Sequence, residues 1–403
     1  MKILMTNNAL TARGGSESYL ETVSTELRRL GHEVTFYSPR CGLVAERLRQ
    51  RGFDVLDDAT LLPDDIDVIH GQHTNAVARV RELCPTVPLV FAVHSWAISV
   101  EDPVAELGAG AYVAFNELTR RRLAAHAATT GKEVVRLTQP VEVSFADGTR
   151  DPVSPVPLRA VAVSRRMTTV TDKLAGACAE LGIDFRRVGD GGSESPDPRL
   201  DMLEADVVFA MGRTALEAMA AARAVMIVDE SSFGGWVDMS SYPALEADGF
   251  TGLGLGELPS SSEPPTATLR ELLERYDPDL GTQARRLVVR HHAAQHHAAA
   301  LVDLYTSVAD TTPSPVATDA STVAQLSQDR FSLENRAVRA EWEVARLRRQ
   351  VQDLLAERER LRAQVARLRG RLSRTRERVQ RLRRQRDRAR EALAAGDGRR
   401  RTP

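Results

Sequence analysis

The sequence predicts an α/β protein with two doubly wound domains and a separate C-terminal helix. Short apolar runs alternate with longer helical patterns, the alternation restarts after a proline-bearing connector at residues 147–158, and an apolar seam at helical spacing fills the end of the chain. Strands that are apolar on both faces are typical of parallel sheets covered by helices on both sides. We therefore expect two Rossmann-like sheets that face a cleft.

The domain boundaries are placed where this pattern changes. We expect an N-terminal Rossmann-like domain over residues 1–150 and a second over residues 151–305. Serine, threonine and proline predict a flexible linker at 306–328, followed by a basic coiled coil over 329–395 and a disordered tail over 396–403. Ligands of doubly wound domains bind in the crevice at the carboxyl ends of the strands, so the cleft is the expected site.

Charge is distributed unevenly along the chain. Residues 331–403 contain 23 arginines and 10 acidic residues, a net charge of +13, whereas the preceding residues carry a net charge of −14. The three cysteines, Cys41, Cys84 and Cys178, are widely spaced, which argues against a disulfide framework and a zinc site. No uninterrupted apolar run approaches 18 residues and no cleavage site follows the first strand, so we expect a cytoplasmic protein.

The stretch FAMGRTALEAMA, at residues 209–220, predicts an anion site. It places Gly212, Arg213 and Thr214 where a short apolar strand gives way to an alanine-rich helix. The first amide groups of a helix lack intrahelical partners and carry partial positive charge, so this position suits a phosphate. Glu217 follows one turn further along the same helix.

A glycine pair, Gly14 and Gly15, separates the first strand from the first helix. Glycine allows backbone to approach a bulky ligand closely, although a Gly-Gly pair also marks many tight βα turns. This pair is a candidate donor-binding loop.

Four histidines in VVRHHAAQHH, at residues 288–297, include one pair, His292 and His296, at the i, i+4 spacing that suits a metal. No acidic partner of the kind found in zinc-binding helices accompanies them. We therefore expect no metal and interpret the histidines as a solvated face of the last helix before the linker.

Several motifs fall along the first 305 residues in the order of a known family. The opening MKILMTNNALTARGGSESYLETVSTELRRLGHEVTFYSP contains a first strand, a glycine loop and a helix ending in Leu-Gly-His-Glu-Val, and DVIHGQHTN, FAVHSW, AYVAFNELTRRRLAA and VVRLTQPVEVSF follow. This order resembles that of the GT-B glycosyltransferases, particularly the retaining family 4. The resemblance implies a nucleotide-sugar donor as co-substrate, a glycan or lipid-linked acceptor and no other cofactor.

The resemblance also implies roles for single residues. His94 aligns with the family histidine beside the reacting sugar, which implies acceptor positioning or proton shuttling. The stretch RAVAVSRRMTTVTDK places Arg165 or Arg166, together with Lys173, where the family has two cations that clamp the nucleotide diphosphate. Glu217 matches the carboxylate that holds the ribose hydroxyls.

The match to the family is incomplete at the donor sugar. In family 4 a first glutamate, eight residues before the second, touches the donor sugar, but Phe209 stands there in this sequence. Ala222 stands where the family usually has glycine. We interpret the chain as a glycosyltransferase that acts on a polysaccharide or envelope-glycan acceptor. The alternatives are a non-catalytic GT-B-like nucleotide- or glycan-binding scaffold and, third, a nucleotide-sugar epimerase, for which no acid–base residues can be assigned.

Apolar residues in alternating steps of three and four predict the C-terminal coiled coil. Twelve of fifteen seam positions between Val344 and Leu393 are Val, Leu or Ala. With Val344 at position a, the flanking e and g positions are mostly arginine and glutamine, so a homodimer gains little attraction from its flanks. A second copy, an acidic helix and an anionic membrane surface are the expected partners, and nucleic acid is the least favoured.

Overall fold

The computed structural model describes residues 1–95, 98–147, 153–164, 169–189, 195, 197–229, 232–255, 266–310 and 320–398. The chain forms two compact units, Met1–Phe331 and Ser332–Pro403. The first unit contains two mainly parallel sheets, each covered by helices on both faces, as the alternation of apolar runs and helical patterns predicts.

The first domain begins the chain. Its elements are β1 (Lys2–Thr6), α1 (Gly15–Arg29), β2 (Glu33–Tyr37), α2 (Leu43–Gln50), β3 (Asp54–Leu56), β4 (Val68–Gly71), α3 (Thr74–Leu83), β5 (Leu89–Val93), β6 (Ala111–Ala114), α4 (Glu117–Ala124) and β7 (Glu133–Arg136). The seven strands pair in the order β3-β2-β1-β4-β5-β6-β7, all parallel. The order reverses at β1 and β4, so the loops after these two strands open a crevice at one edge of the sheet.

The second domain repeats the design on a smaller scale. Its elements are β8 (Arg159–Val163), α5 (Thr169–Glu180), β9 (Asp184–Val188), α6 (Pro198–Glu204), β10 (Val207–Ala210), α7 (Gly212–Ala220), β11 (Ala224–Asp229), β12 (Ser232–Trp236), α8 (Tyr242–Ala247), α9 (Thr266–Glu274) and α10 (Asp279–His291). The strands pair in the order β12-β11-β10-β8-β9, and β12 is antiparallel to β11.

The helix that follows α10 returns to the first domain. This helix, α11 (Ala294–Ala309), buries Ala298, Leu301 and Tyr305 in the same core as Tyr19 of α1. The expected end of the second domain at residue 305 is therefore corrected, since α11 completes the first domain. The physical reason is that the apolar side of α11 covers the sheet face beside α1, a long-range fit that local periodicity does not reveal.

The last helix is longer than the coiled coil that the sequence predicts. It is α12, Ala320–Gly398. Residues 306–309 and 320–328 of the expected linker are helical, and so are residues 396–398 of the expected disordered tail, which corrects both assignments. The remaining residues of these two segments, apart from Asp310, lie outside the described residues. No helix in the described part of the chain is long and apolar enough to cross a bilayer.

The first turns of α12 are helical because they pack on the first domain. Val323 is partly buried against its core. The amide group of Asn75 donates a hydrogen bond to the side-chain oxygen of Gln328 at 2.6 Å, and Arg330 pairs with Asp102 at 2.8 Å. Residues up to Phe331 consequently belong to the first compact unit.

We predict that Gly281→Ala destabilises the protein. Gly281 lies in α10 against the turn between α7 and β11, and an added Cβ would overlap the carbonyl oxygen of Ala222. Because the obstacle is backbone, we expect the free energy of unfolding to fall by about 1–3 kcal/mol in chemical denaturation.

Gly176→Ala in α5 is the matched control for this prediction. Its added Cβ would meet the Thr266 methyl group at 3.8 Å, an ordinary contact. Replacing a glycine inside a helix then stabilises by roughly 0.5–1 kcal/mol. Equal stability of the two variants would contradict the packing described for α10.

Candidate functional site

Two crossing segments join the domains of the first unit. The chain passes to the second domain at residues 137–147 and returns at residues 292–294. The segments lie side by side: the Val141 amide donates to the His292 carbonyl at 2.8 Å, and the Thr138 hydroxyl donates to the His291 carbonyl at 2.7 Å. This pairing fixes the cleft edges of the two domains relative to each other.

His292 locks the crossing through both nitrogens of its ring. Nδ1 donates to the Gln139 carbonyl at 2.8 Å, and Nε2 therefore accepts from the Tyr242 hydroxyl at 2.9 Å. Burial lowers the pKa of His292 to about 4, so the ring is neutral at pH 7. The prediction of a solvated histidine face is wrong here, because the ring satisfies buried backbone.

His297 on α11 acts in the same way. Its Nδ1 donates to the Thr138 carbonyl at 2.9 Å, and its Nε2 lies 3.1 Å from the Tyr19 hydroxyl. Burial lowers its pKa to about 3. His297 is therefore also buried rather than solvated, and no three His, Cys, Asp or Glu side chains within the described ranges are placed to hold a metal ion.

The predicted anion site opens onto a cleft of about 460 Å³ between the two domains. The loop before α1, one side of α1 and the end of α2 form one wall, and α6, α7 and the first crossing segment form the other. Its lining is strongly charged. The charged residues are Arg13, Glu21, Glu26, Arg47, Arg51, Glu142, Asp197, Arg199, Arg213 and Glu217.

Glu217 lies one turn into α7, where its motif predicts it, and only 8% of it is exposed. Arg13 from the first domain reaches it, with Nη2 3.2 Å from Oε1, and also pairs with Asp197 at 2.6 Å. Burial opposes ionisation of Asp197, but hydrogen bonds and charge from Arg199 and the charge of Arg13 lower its pKa to about 2. Arg13 thus joins two carboxylates of the second domain to the loop before α1.

Sequence reasoning missed Arg13 although it directly precedes the glycine pair in TARGGSE. Gly14 caps α1 and Gly15 begins it. A Cβ at Gly15 would meet no atom within 4 Å, so the loop surface beside Arg13 is open. Arg13, directly before the glycine pair, and Glu217 therefore line the same cleft.

Arg213 does not point toward a phosphate position, which corrects its predicted role. Nη1 donates to the Pro140 carbonyl at 2.5 Å, and Nη2 donates to the Thr22 hydroxyl at 2.7 Å and the Ser18 carbonyl at 3.2 Å. The crossing brings α1 within reach of the first turn of α7, so the guanidinium bonds to α1 and to the crossing segment. Hydrogen bonds of the Arg213 side chain therefore link the two domains.

The start of α7 is only partly available to an anion. Gly212 has a φ of 56°, which favours glycine, and its amide donates to the Phe250 carbonyl at 2.8 Å. The Gly212 amide is therefore not available to bind a phosphate, although the motif predicted that it would be. The amides of Arg213 and Thr214 lie in the first turn, where a helix leaves its donors without intrahelical partners.

Of the remaining predicted donor residues, only part lies in the described structure. Lys173 lies in α5, partly buried, and is not part of the cleft lining. Arg165 and Arg166 lie outside the described residues. Phe209 is fully buried in β10, with its ring 6.2 Å from that of Phe185, so this position offers no group to a donor sugar.

His94 follows β5 and packs in an aromatic cluster. Its ring stacks on Phe115 at 4.4 Å and meets Tyr19 edge-on at 4.8 Å, measured between ring centroids. Nε2 lies 2.8 Å from the side-chain oxygen of Gln72, and because that oxygen only accepts, Nε2 carries the proton. Burial, then the charges of nearby histidines and Arg213, hold the pKa of His94 well below its usual value. A neutral ring with one free acceptor suits positioning of a hydroxyl better than proton shuttling.

Glu101 supports His94 and was missed in the sequence. It is buried, and its Oε2 accepts the amides of His94 at 2.6 Å and Ser95 at 2.7 Å. His73, whose φ of 62° is rare for a residue with a side chain, accepts the Asn8 amide at 3.0 Å and faces Glu101 at 3.7 Å. Strained backbone of this kind is common at functional sites.

Comparison with known proteins gives the fold a name. No protein-family model matches the chain, and a search of curated proteins found no match. A glycosyltransferase from Rickettsia africae matches with a TM-score of 0.55 and 16% identity, over 77% of this chain and 99% of its own. Anabaena HepE, in complex with UDP and glucose, matches with a TM-score of 0.53 and 13% identity, over 76% of this chain and 100% of its own. The body of this chain therefore has the GT-B fold that the sequence predicts.

Proposed function

We propose that the protein is a glycosyltransferase that moves a sugar from a nucleotide-sugar to a glycan acceptor, with retention as in family 4. The observation that carries the proposal is Glu217 on α7, which pairs across the cleft with Arg13, the residue directly before the glycine pair. A carboxylate for ribose hydroxyls next to an arginine for phosphate is the arrangement a nucleoside diphosphate requires. The Anabaena HepE structure of the same fold contains UDP and glucose, which supports this donor class.

Binding of the donor exchanges the partners of Glu217. In the structure the carboxylate pairs with Arg13. A bound ribose would donate its hydroxyls to Glu217, and Arg13 would move to the diphosphate. As the glycosidic bond breaks, negative charge grows on the diphosphate, and Arg13, the amides of α7 and the proposed cation at Arg165 or Arg166 would stabilise it. This set of charges requires no metal.

The acceptor site is proposed on the first domain, beside His94. Its neutral ring would accept a hydrogen bond from the attacking hydroxyl, and Glu101 would hold the loop that carries it. We propose a polysaccharide, an envelope glycan or a lipid-linked glycan as the acceptor.

Binding without turnover is a second candidate function. The observation that favours it is the burial of Phe209, because the first glutamate of the family motif has no counterpart at this position. In that case the body would bind a nucleotide or a glycan, and α12 would be the working part of a scaffold.

We propose a cytoplasmic location with peripheral attachment to anionic membranes. The outward c positions of the coiled-coil heptads hold Arg367, Arg374, Arg381 and Arg388, all exposed. A column of cations on one face of a helix gains on the order of 1 kcal/mol per charge near anionic lipid.

Glu217→Ala is expected to weaken binding of UDP or another nucleoside diphosphate. A charged hydrogen bond contributes about 1.5–3 kcal/mol, so the dissociation constant should rise by roughly 10- to 100-fold in titration calorimetry. Glu26→Ala is the matched control, since Glu26 lines the same cleft from α1 but pairs with Arg29. Unchanged affinity in Glu217→Ala, with its melting temperature preserved, would remove the proposed ribose contact.

His94→Ala is expected to reduce turnover by roughly 10² or more, because the attacking hydroxyl loses its positioning contact, while nucleotide affinity changes little. Because the pKa of His94 lies well below 6.5, the wild-type rate should not depend on this ring between pH 6 and 8. His296→Ala, at an exposed position of α11, is the control. Sugar-transfer assays measure the rates, and no turnover in the wild type with any sugar conjugate of a bound nucleotide would favour the scaffold.

The membrane proposal predicts salt-sensitive binding of the full chain to anionic vesicles and none to neutral vesicles. Changing Arg367, Arg374, Arg381 and Arg388 to Gln should weaken sedimentation with anionic vesicles at least about tenfold. The same four changes to Lys keep the charge and should preserve binding. Equal binding to both vesicle types, or binding that ignores salt, would refute the electrostatic attachment.

A further inference from the structure

The seam of α12 is exposed along the second compact unit. Nine seam side chains, each Val or Leu, are between 42% and 55% exposed: Val344, Leu347, Val351, Leu361, Val365, Leu368, Leu372, Val379 and Leu382. An apolar stripe of this length on a helix is typical of an association surface. The polar residues within the stripe and beside it indicate what covers it.

Two arginines interrupt the stripe with a regular spacing. Arg358 and Arg386 both lie at position a, four heptads apart. Each directly follows a hydrogen-bond acceptor at position g, Glu357 and Gln385 respectively. Arg330 and Asp329 repeat the pair four heptads earlier, but Arg330 bonds to Asp102 in the first unit.

A parallel, in-register pair of helices satisfies both seam arginines. In this arrangement a side chain at position a lies beside position a of the second helix and beside the g residue that precedes it. Arg358 of one copy therefore reaches Glu357 of the other, and Arg386 reaches Gln385. The long arginine stems cover the apolar seam while the guanidinium groups reach its edge.

The flanks favour the same arrangement. Every e position from Arg362 to Arg390 is arginine. In a parallel pair these five arginines face Glu357, Gln364, Arg371, Arg378 and Gln385, so three of the five meet an acceptor. In an antiparallel pair they would face one another, which is repulsive throughout.

A shift of register by one heptad weakens the contacts of both seam arginines across the pair. Arg358 then faces Gln350 or Gln364 in place of Glu357, and Arg386 faces Arg378 or Ala392, neither of which accepts a hydrogen bond. The next register that matches arginine with arginine lies four heptads away and loses more than half of the seam. A buried polar residue at position a is known to set register and strand number at some cost in stability.

We propose that residues 344–393 form a parallel, in-register, two-stranded coiled coil with a second copy of this chain, with its register set by Arg358 and Arg386. The proposal concerns α12 alone and does not depend on the transferase activity. It makes the protein a dimer whose two α12 helices run in the same direction.

The first test measures the oligomeric state of the full chain by light scattering and sedimentation equilibrium. We expect a dimer, and Leu361→Arg in the seam should convert it to a monomer. Glu357→Arg should raise the dimer dissociation constant at least about tenfold. Adding Arg362→Glu should restore much of the affinity, because the exchanged charges face each other only in the parallel arrangement.

Glu377→Arg is the matched control, since it makes the same charge change at the outward f position and should leave the dimer unchanged. A monomeric wild type, a trimer or tetramer, or a dimer that survives Leu361→Arg would overturn the proposal. So would equal effects of the changes at Glu357 and Glu377.

The second test reads direction and register by disulfide formation in a Cys41→Ser, Cys84→Ser background of the full chain. Leu347→Cys and Leu382→Cys variants are oxidised separately and as a mixture. Parallel in-register helices give covalent dimers of each variant with itself. Ala363→Cys at position f is the control and should give none. A crosslink between positions 347 and 382, or no crosslink at either seam position, would overturn the proposed geometry.

Discussion

The pairing of the two crossing segments is the constraint on which the rest of the body depends. The Val141 amide donates to the His292 carbonyl and so joins the two segments through their backbone. The buried imidazoles of His292 and His297 donate to two further backbone carbonyls of the first segment. Both rings must stay neutral to keep these partners. Because their pKa values are lowered on folding, the unfolded chain binds protons that the folded chain does not, and stability is lost as the pH falls from about 6.5 to about 4 for His292 and about 3 for His297.

The same crossing makes the first domain discontinuous in sequence. Its sheet ends at Arg136, but the helix that covers one face begins at Ala294, after the whole second domain. Tyr305 of that helix bonds to His70 at the end of β4 at 2.7 Å, so the late helix also reaches the crevice edge of the sheet. The core of the first domain is therefore complete only when residues about 300 positions apart have met, which slows folding and couples the stability of the two domains.

The sequence predicts the parts of this protein that depend on local pattern. Both sheets were expected because β-strands buried on two faces give continuous apolar runs, and Glu217 was expected because its motif places it one turn into a helix. The return of α11 to the first domain was not expected, because no local sequence pattern distinguishes a helix that packs on its own domain from one that packs on the neighbouring domain. His292 and His297 were misread for a related reason: spacing alone does not separate exposed imidazoles from rings that bond to buried backbone.

The arginines show the same limit at the site. Arg213 was predicted from its place at a helix start, but its partners are on α1 and the crossing segment, which only the assembled domains bring near. Arg13 was overlooked beside the glycine pair, where a cation next to open backbone was the available signal. Arg13, which the motif analysis passed over, pairs with Glu217 across the cleft. Arg213, which the motif singled out, instead bonds to α1 and the crossing segment.

The contact between Arg13 and Glu217 would give the proposed nucleotide site a preference for intact ligands. A ligand that supplies only phosphate would draw Arg13 away and leave the Glu217 carboxylate, which is nine-tenths buried, with the more distant Arg213, whose Nε lies at 3.6 Å. A ligand that supplies only hydroxyl groups would satisfy Glu217 and leave Arg13 with Asp197 and Ser18. Each half-ligand would thus break one ion pair and replace half of it, and weaker pairing of a buried charge is costly. The proposed site would therefore respond to the covalent link between a sugar hydroxyl and a phosphate rather than to either group, and fragments of a nucleotide would compete poorly with the intact molecule.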